Sequence, residues 1–372
     1  MDAGQFDQVA RRVSAGATRR RVVGALSGLS LTPLLGPALT SAKKKKAKKK
    51  PLCLNGQTVK ASGKKAKKLK KQGATPGACC VPVCNSVSCG GADGCGGTCG
   101  CAAGSVCNAG TCSACTVFCS GTAPECGVTL NAALAAGGRI VACPGRYAGT
   151  FTVNTATTLV GAGAGEDPVT NTILDGGGVG QTVVVNNNQS LSLSGVRVVG
   201  GKTGGDGGGL QGRSNTDVQL DSCAIVGNQA ANAGGGIATT GKLSLHNTLI
   251  SGNDIGPSLG GGVYFSGSGP HVVANCTFVS NTAGRGGAMY LSAATVTVTG
   301  TEIRGNKAST FGGGFRLTAS ATLTLDSATS VTGNTATTSG GAIYAEAGAM
   351  FTQQGAVISG NTAPQCVNVT CV

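Results

Sequence analysis

Acidic groups and histidines are few: 14 Asp and Glu and two His in 372 residues, against 29 Lys and Arg. The ten acids after Gly161 are Glu166, Asp167, Asp175, Asp206, Asp217, Asp221, Asp254, Glu302, Asp326 and Glu346, and no two neighbours share a spacing that would cluster them. That scatter argues against the paired carboxylates of acid–base catalysis and against a carboxylate cage for calcium. The second half of the chain also lacks any stretch that keeps a 3.6-residue apolar period over ten residues, which excludes a helical solenoid. Beyond the first 42 residues no apolar run is long enough to span a bilayer.

What is present instead is a repeat. From Leu191 to Asn361 one pattern occurs seven times: an apolar alternation, Ile-x-Gly-Asn or a variant, a spacer, then a glycine run followed by an apolar residue. Asn228, Asn253, Asn281, Asn306, Asn334 and Asn361 are separated by 25, 28, 25, 28 and 27 residues, and Gly201 takes the same place one period earlier. A fixed period of this length is the signature of a solenoid. Pairs such as Val218 with Leu220, Leu243 with Leu245 and Val296 with Val298 alternate at period two, which predicts strands.

Aligning the copies on the asparagine exposes two apolar columns. Val198, Ile225, Ile250, Phe278, Ile303, Val331 and Ile358 stand three residues before it; Leu210, Ile237, Val263, Met289, Phe315 and Ile343 follow the glycine run. Stacked at about 4.8 Å per coil, such columns build a dry interior that one copy cannot build alone. The expected fold is therefore all-β, a right-handed parallel β-helix with one coil per repeat; the handedness follows from the strong bias of parallel crossovers. The asparagines and glycines read as structural, Asn for left-handed corners and amide stacking, Gly for tight turns without a Cβ.

Phe278-Val-Ser-Asn281 followed by Gly286-Gly287-Ala288-Met289 resembles the paired motif of polymorphic outer-membrane protein repeats, and Gly340-Gly341-Ala342-Ile343 matches its second half. That resemblance implies a β-helical passenger used in adhesion. Gly138-Arg139-Ile140-Val141-Ala142-Cys143-Pro144-Gly145-Arg146-Tyr147, then Thr158 to Gly161 and Leu174-Asp175-Gly176, resemble the N-terminal part of pectate-lyase-like proteins, extending the β-helix to residues 123–372. Thr129 to Ala136, with leucines four apart and no Gly or Pro, predicts a short helix that plugs the open end of the coil.

Three segments precede the solenoid. Thr18-Arg19-Arg20-Arg21-Val22-Val23 resembles a twin-arginine signal, and an apolar run to Leu39 ends in Thr40-Ser41-Ala42, so residues 1–42 are expected to be an export signal cleaved after Ala42. Export places the protein outside the cell, secreted or on the cell surface. Residues 43–76 are expected to be a disordered lysine tail. Residues 1–76 carry 19 Lys or Arg and two acids, while the other 296 carry 10 and 12, so the basic character belongs to the tail. Without interleaved aromatics that tail implies no specific nucleic acid; it either contacts an anionic envelope polymer or lipid head groups, or solvates the new N-terminus. Residues 77–122 read as a disulfide module, since 12 of the 18 cysteines lie between Cys53 and Cys119, and Cys89 to Cys101 resembles Cys-Gly-rich modules of secreted bacterial proteins. Cys112-Ser-Ala-Cys115 has zinc-ligand spacing, but no second pair and no nearby histidine completes a site, so no metal or other cofactor is expected.

Of the remaining cysteines, Cys126 with Cys143 is expected to tie the capping helix to the first coil, and Cys366 with Cys371 to close the chain's end, leaving the module cysteines to pair among themselves. Cys223 and Cys276 fall in one column two periods apart, nearly 10 Å at the usual coil rise, and are expected to be buried free thiols.

The candidate binding residues are Tyr264, Tyr290, Arg316 and Tyr344, which follow the second apolar column on consecutive coils and face outward by alternation. Tyrosine faces stack on sugar rings and Arg offers a fork for carboxylate or hydroxyls; the same strip could equally be a ladder that stabilises the sheet. Asp221 and His246 stack on adjacent coils, but no nucleophile, second base or metal ligand joins them. The expectation is an exported, non-catalytic protein that binds polysaccharide or another cell-surface glycan and serves adhesion. The alternative, implied by the pectate-lyase-like resemblance, is a polysaccharide lyase or glycoside hydrolase acting on acidic polysaccharide.

Overall fold

The computed structural model describes residues 50–54, 57–72, 75–76, 101, 104–108, 111–267 and 269–371, in two units, Met1–Cys79 and Cys80–Val372. The expected export signal at residues 1–42, the lysines from Lys43 to Lys49 and the Cys-Gly run from Cys89 to Cys99 lie outside the described residues.

In the first unit Lys50–Leu54 pairs antiparallel with Gln57–Ala61 on one side and with Thr75–Pro76 on the other. Helix α1 (Gly63–Lys71) follows the hairpin. Ala66 and Leu69 pack against buried Ala61, while Lys64, Lys65, Lys67, Lys68, Lys70 and Lys71 stay exposed. This part of the stretch expected to be a disordered tail is thus ordered. Residues three apart share a helical face, so Ala66 and Leu69 form a narrow apolar stripe that the lysines leave open. Three of those lysines lie in the last turn, where the helix dipole favours cations.

The second unit is a right-handed parallel β-solenoid built of three nine-stranded sheets. The first sheet runs from Gly145–Ala148 to Val357–Ser359, the second from Phe151–Val153 to Cys366–Val367, and the third from Gly138–Val141 to Met350–Gln353. Strands of successive coils align residue for residue, as in Ile250 with Phe278 and Val263 with Met289. The two apolar columns therefore stack inside, and all their members except Ile358 of the last coil are buried. His271 stands in the interior too, with its ring 4.9 Å from that of Phe265 and its Nδ1 accepting the Leu243 N–H at 3.2 Å.

The asparagine column is a continuous ladder, buried from Asn228 to Asn334 and half-buried at Asn361. Each amide nitrogen donates to the next Oδ1 at 2.9–3.1 Å from Asn228 to Asn361, and each Oδ1 also accepts the backbone N–H of the asparagine before it. The left-handed corner falls one residue earlier than the sequence suggests, on Gly227, Gly252, Ser280, Gly305, Gly333 and Gly360. In Gly286-Gly287-Ala288 the first residue takes φ +68°, and a Cβ on the second would meet the Gly313 carbonyl oxygen at 2.4 Å. The third position tolerates Ala, which is why the motif varies there.

At the N-terminal mouth lies helix α2 (Ala123–Ala136), which buries Cys126, Gly127, Leu130 and Leu134 against the first coil. It starts six residues before the predicted helix because Thr122 and Glu125 form a capping box and Pro124 opens the first turn. The expected Cys126–Cys143 bridge is not formed. Val117 bridges Ala142, its N–H donating to the Val141 carbonyl and its carbonyl accepting the Cys143 N–H, so the segment around it runs along the first coil and brings Cys115 and Cys119 within reach of Cys143 and Cys126. Cys115 bridges Cys143 and Cys119 bridges Cys126, with Cα separations of 5.4 and 4.8 Å. Two cysteines assigned to the module thereby anchor the cap, whereas Cys101 and Cys112 are bridged within it. At the other end Cys366 is joined to Cys371. Cys223 and Cys276 are free and buried, and burial pushes their thiols up to about 12 and about 11. Among the described residues no helix is long and apolar enough to cross a membrane.

Candidate functional site

The second sheet brings the four candidate residues into one outward column, with Tyr264 paired to Tyr290, Tyr290 to Arg316 and Arg316 to Tyr344. Coil spacing makes this a ladder. The rings of Tyr264 and Tyr290 stack at 5.5 Å with planes 23° apart, and the Arg316 guanidinium lies 4.7 Å from the Tyr344 ring centre. Side chains so close to the coil rise use their flat faces on one another.

The strip is therefore not uniformly available. Tyr290 and Arg316 are only 7% and 6% exposed. Both terminal nitrogens of Arg316 are engaged, one donating to Glu346 Oε1 at 2.5 Å and the other to the carbonyl of Leu317, while its Nε is buried without a partner. Glu346 Oε2 also accepts the Ala319 N–H, and the Arg316 hydrogen bond, its largest influence, holds its carboxyl below the usual carboxylate range. Burial raises the Tyr290 hydroxyl above its ordinary value, partly opposed by Arg316. The Tyr344 end is closed by the Phe311 ring at 4.5 Å and by Val367, the next residue in the column.

The Tyr264 end is different. Its partner on the preceding coil is Ala238, and before that stands Gln211. Over Ala238 lies a groove of about 290 Å³ whose lining includes Asn187, Asp206, Gln211, Arg213, Thr240 and Tyr264. Its ridge side is held by a polar network. Gln181 Nε2 donates to Gln211 Oε1 at 2.8 Å and to the Asp206 carbonyl at 2.9 Å, and Asn232 Nδ2 donates to Asp206 Oδ1 at 2.6 Å. Sequence reasoning found the tyrosines but missed Ala238 and Gln211, which lie in the same column one and two periods upstream of Tyr264.

The Asp221 and His246 positions do align on adjacent coils. The Asp221 carboxylate, however, accepts from Asn247 Nδ2 at 2.9 Å and Ser222 Oγ at 3.1 Å, two residues in left-handed corners. It holds a bend rather than a histidine. Among the described residues no group of three or more His, Cys, Asp or Glu is placed to hold a metal ion.

Compared with known proteins, residues 181–363 match the family model described as the right handed beta helix region. No curated protein and no solved structure gives a significant match. The family match covers the asparagine ladder and the tyrosine column and agrees with the observed solenoid.

Proposed function

We propose that this protein is an exported, non-catalytic β-helix that binds polysaccharide at or near the cell surface, in the manner of an adhesin. The observation that carries this reading is the outer end of the ladder. There Tyr264 borders a groove whose walls are amide, hydroxyl and charged side chains, the mixture of one aromatic platform and several hydrogen-bonding groups that suits a sugar. The twin-arginine-like N-terminus supports export. The six exposed lysines of α1 support contact of the first unit with an anionic envelope polymer or lipid head groups.

The test is retention of the full chain on immobilised neutral and uronic-acid glycans, with and without calcium, while assaying for new reducing or unsaturated ends. Retention without turnover is expected. Turnover abolished by replacing a single acid on the coil would overturn the reading in favour of a polysaccharide lyase or glycoside hydrolase.

A further inference from the structure

We infer that the groove over Ala238 takes one neutral pyranose ring, which lies against the outer face of Tyr264 and continues the ladder by one rung; this rests on the polysaccharide-binding reading above. The outward column of the second sheet reads, coil by coil, Val184, Gln211, Ala238, Tyr264, Tyr290, Arg316 and Tyr344. From Tyr264 to Tyr344 every position carries a flat group, with Tyr264 stacked on Tyr290 and Arg316 lying over Tyr344. At Ala238, 4% exposed at the base of the groove, the stack stops, because a methyl group has no flat face to offer Tyr264.

Three observations identify the missing rung. The first is thickness. Coils repeat at about 4.8 Å, so a single omitted rung leaves a space about one ring thick. The second is size. At about 290 Å³ the groove lies at the lower end of small-molecule sites, enough for one or two sugar units and not for the buried length of a polymer. The third is charge. The charged lining residues are Asp206 and Arg213, one of each sign, and the other polar groups are neutral amides and hydroxyls. A uronate would need a net positive wall to offset desolvation of its carboxylate. A neutral ring needs donors and acceptors of both kinds, and the groove has them. The Tyr344 end, on the same sheet and ladder, is closed by the Phe311 ring and continues to Val367, and serves as an internal control.

The test compares the wild-type chain with Ala238→Tyr, Tyr264→Ala and Tyr344→Ala on neutral glycan columns (glucan, galactan, mannan) and on a uronan, with circular dichroism and Tm measured for each. Wild type should be retained on at least one neutral glycan and not on the uronan. Ala238→Tyr fills the space and Tyr264→Ala removes the platform, so each should weaken retention roughly tenfold or more at unchanged fold content. Tyr344→Ala, at the closed end, should stay within about twofold of wild type. Full retention by folded Ala238→Tyr, or by Tyr264→Ala should Ala238→Tyr fail to fold, overturns the inference while leaving glycan binding intact. So does retention on the uronan alone. A wild-type chain held by no glycan at all removes the proposed function, and the missing rung with it.

Discussion

The solenoid carries two ladders that run along the same coils and have different ends. The inner one consists of a single residue type, is buried from Asn228 to Asn334, and is capped at both ends: the Gly201 N–H donates to Asn228 Oδ1 at 3.0 Å, and half-buried Asn361 donates from Nδ2 to Gln365 Oε1 at 3.1 Å. The outer one mixes Tyr and Arg, is closed at Tyr344 and opens onto a groove at Tyr264. Repetition is common to both, so repetition alone does not mark a site. A ladder that satisfies its last rung is architecture; one that leaves a rung open has surface chemistry to offer.

The largest expected break in this contrast is Asn281→Ala. Asn281 Oδ1 accepts from both the backbone and the side chain of Asn253, and its Nδ2 donates to Asn306 Oδ1 and the Ile250 carbonyl. Orphaning those buried groups should cost roughly 3–5 kcal/mol. Denaturant unfolding monitored by circular dichroism measures this, and a loss below about 1 kcal/mol would mean the inner ladder is not what holds the coils in register.

Arg316→Ala breaks the outer ladder at its most enclosed rung, taking away the group stacked on Tyr344 and the partner of Glu346. The expected cost is roughly 1–2 kcal/mol, mostly lost packing and cation–π contact. Glycan retention should hardly change, because the groove is two coils away. If the variant instead lost binding while keeping its Tm, the centre of the strip and not its open end would be the site.

The interior also contains a titratable rung. Burial lowers the pKa of His271 below its ordinary value of 6.5, so the unfolded chain takes up its proton before the folded one does. Stability from this residue is fully present above pH 6.5 and falls as pH drops from 6.5 towards the lowered folded value, by at most about 1.4 kcal/mol per pH unit. Neighbours in its column are Leu and Val, so His271→Leu should fold and should flatten that limb of the stability–pH curve. An unchanged slope in the variant would assign the pH dependence to other groups. In the outer ladder the sign is shared but the window is lower: Glu346, held below 4.5 chiefly by the Arg316 hydrogen bond, loses its contribution as pH falls from 4.5 towards the lowered folded value.

The smallest effect sharpens the inner ladder. Ser280 has φ +56° at the corner where five other coils place Gly. Ser280→Gly should relieve that strain, net of the extra freedom of the unfolded chain, and stabilise by about 0.5–1 kcal/mol. A fall in Tm would show that the Ser280 side chain is needed at this corner.

Much of this fold can be read from linear spacing. In a parallel coil, residues one period apart must stack, so the positions of Asn228 to Asn361 and of the two apolar columns map directly onto buried stacks, and Tyr264, Tyr290, Arg316 and Tyr344 onto one outward line. The same arithmetic left Thr248 on the coil between Cys223 and Cys276, and in the structure its hydroxyl lies 3.4 Å from the Cys223 nitrogen. Helix α1 escaped because its lysines were counted as charge, while the three-residue spacing of Ala66 and Leu69 went unused.

By itself, then, the sequence determined what a repeating chain determines: strand direction, register, the inner ladder and the composition of the outer one. A fixed period converts position along the chain into position along the axis. Tertiary structure alone decided the rest, because spacing carries no information about what approaches from the side. The segment at Val117 bridges Ala142 of the first coil, and Cys126 is joined to Cys119 and Cys143 to Cys115. Glu346 and Phe311 closed one end of the tyrosine column. Ala238, unremarkable in the sequence, became the floor of the groove only because Tyr264 on the next coil faces it and the Gln211 and Asp206 side of the groove was held in place beside it.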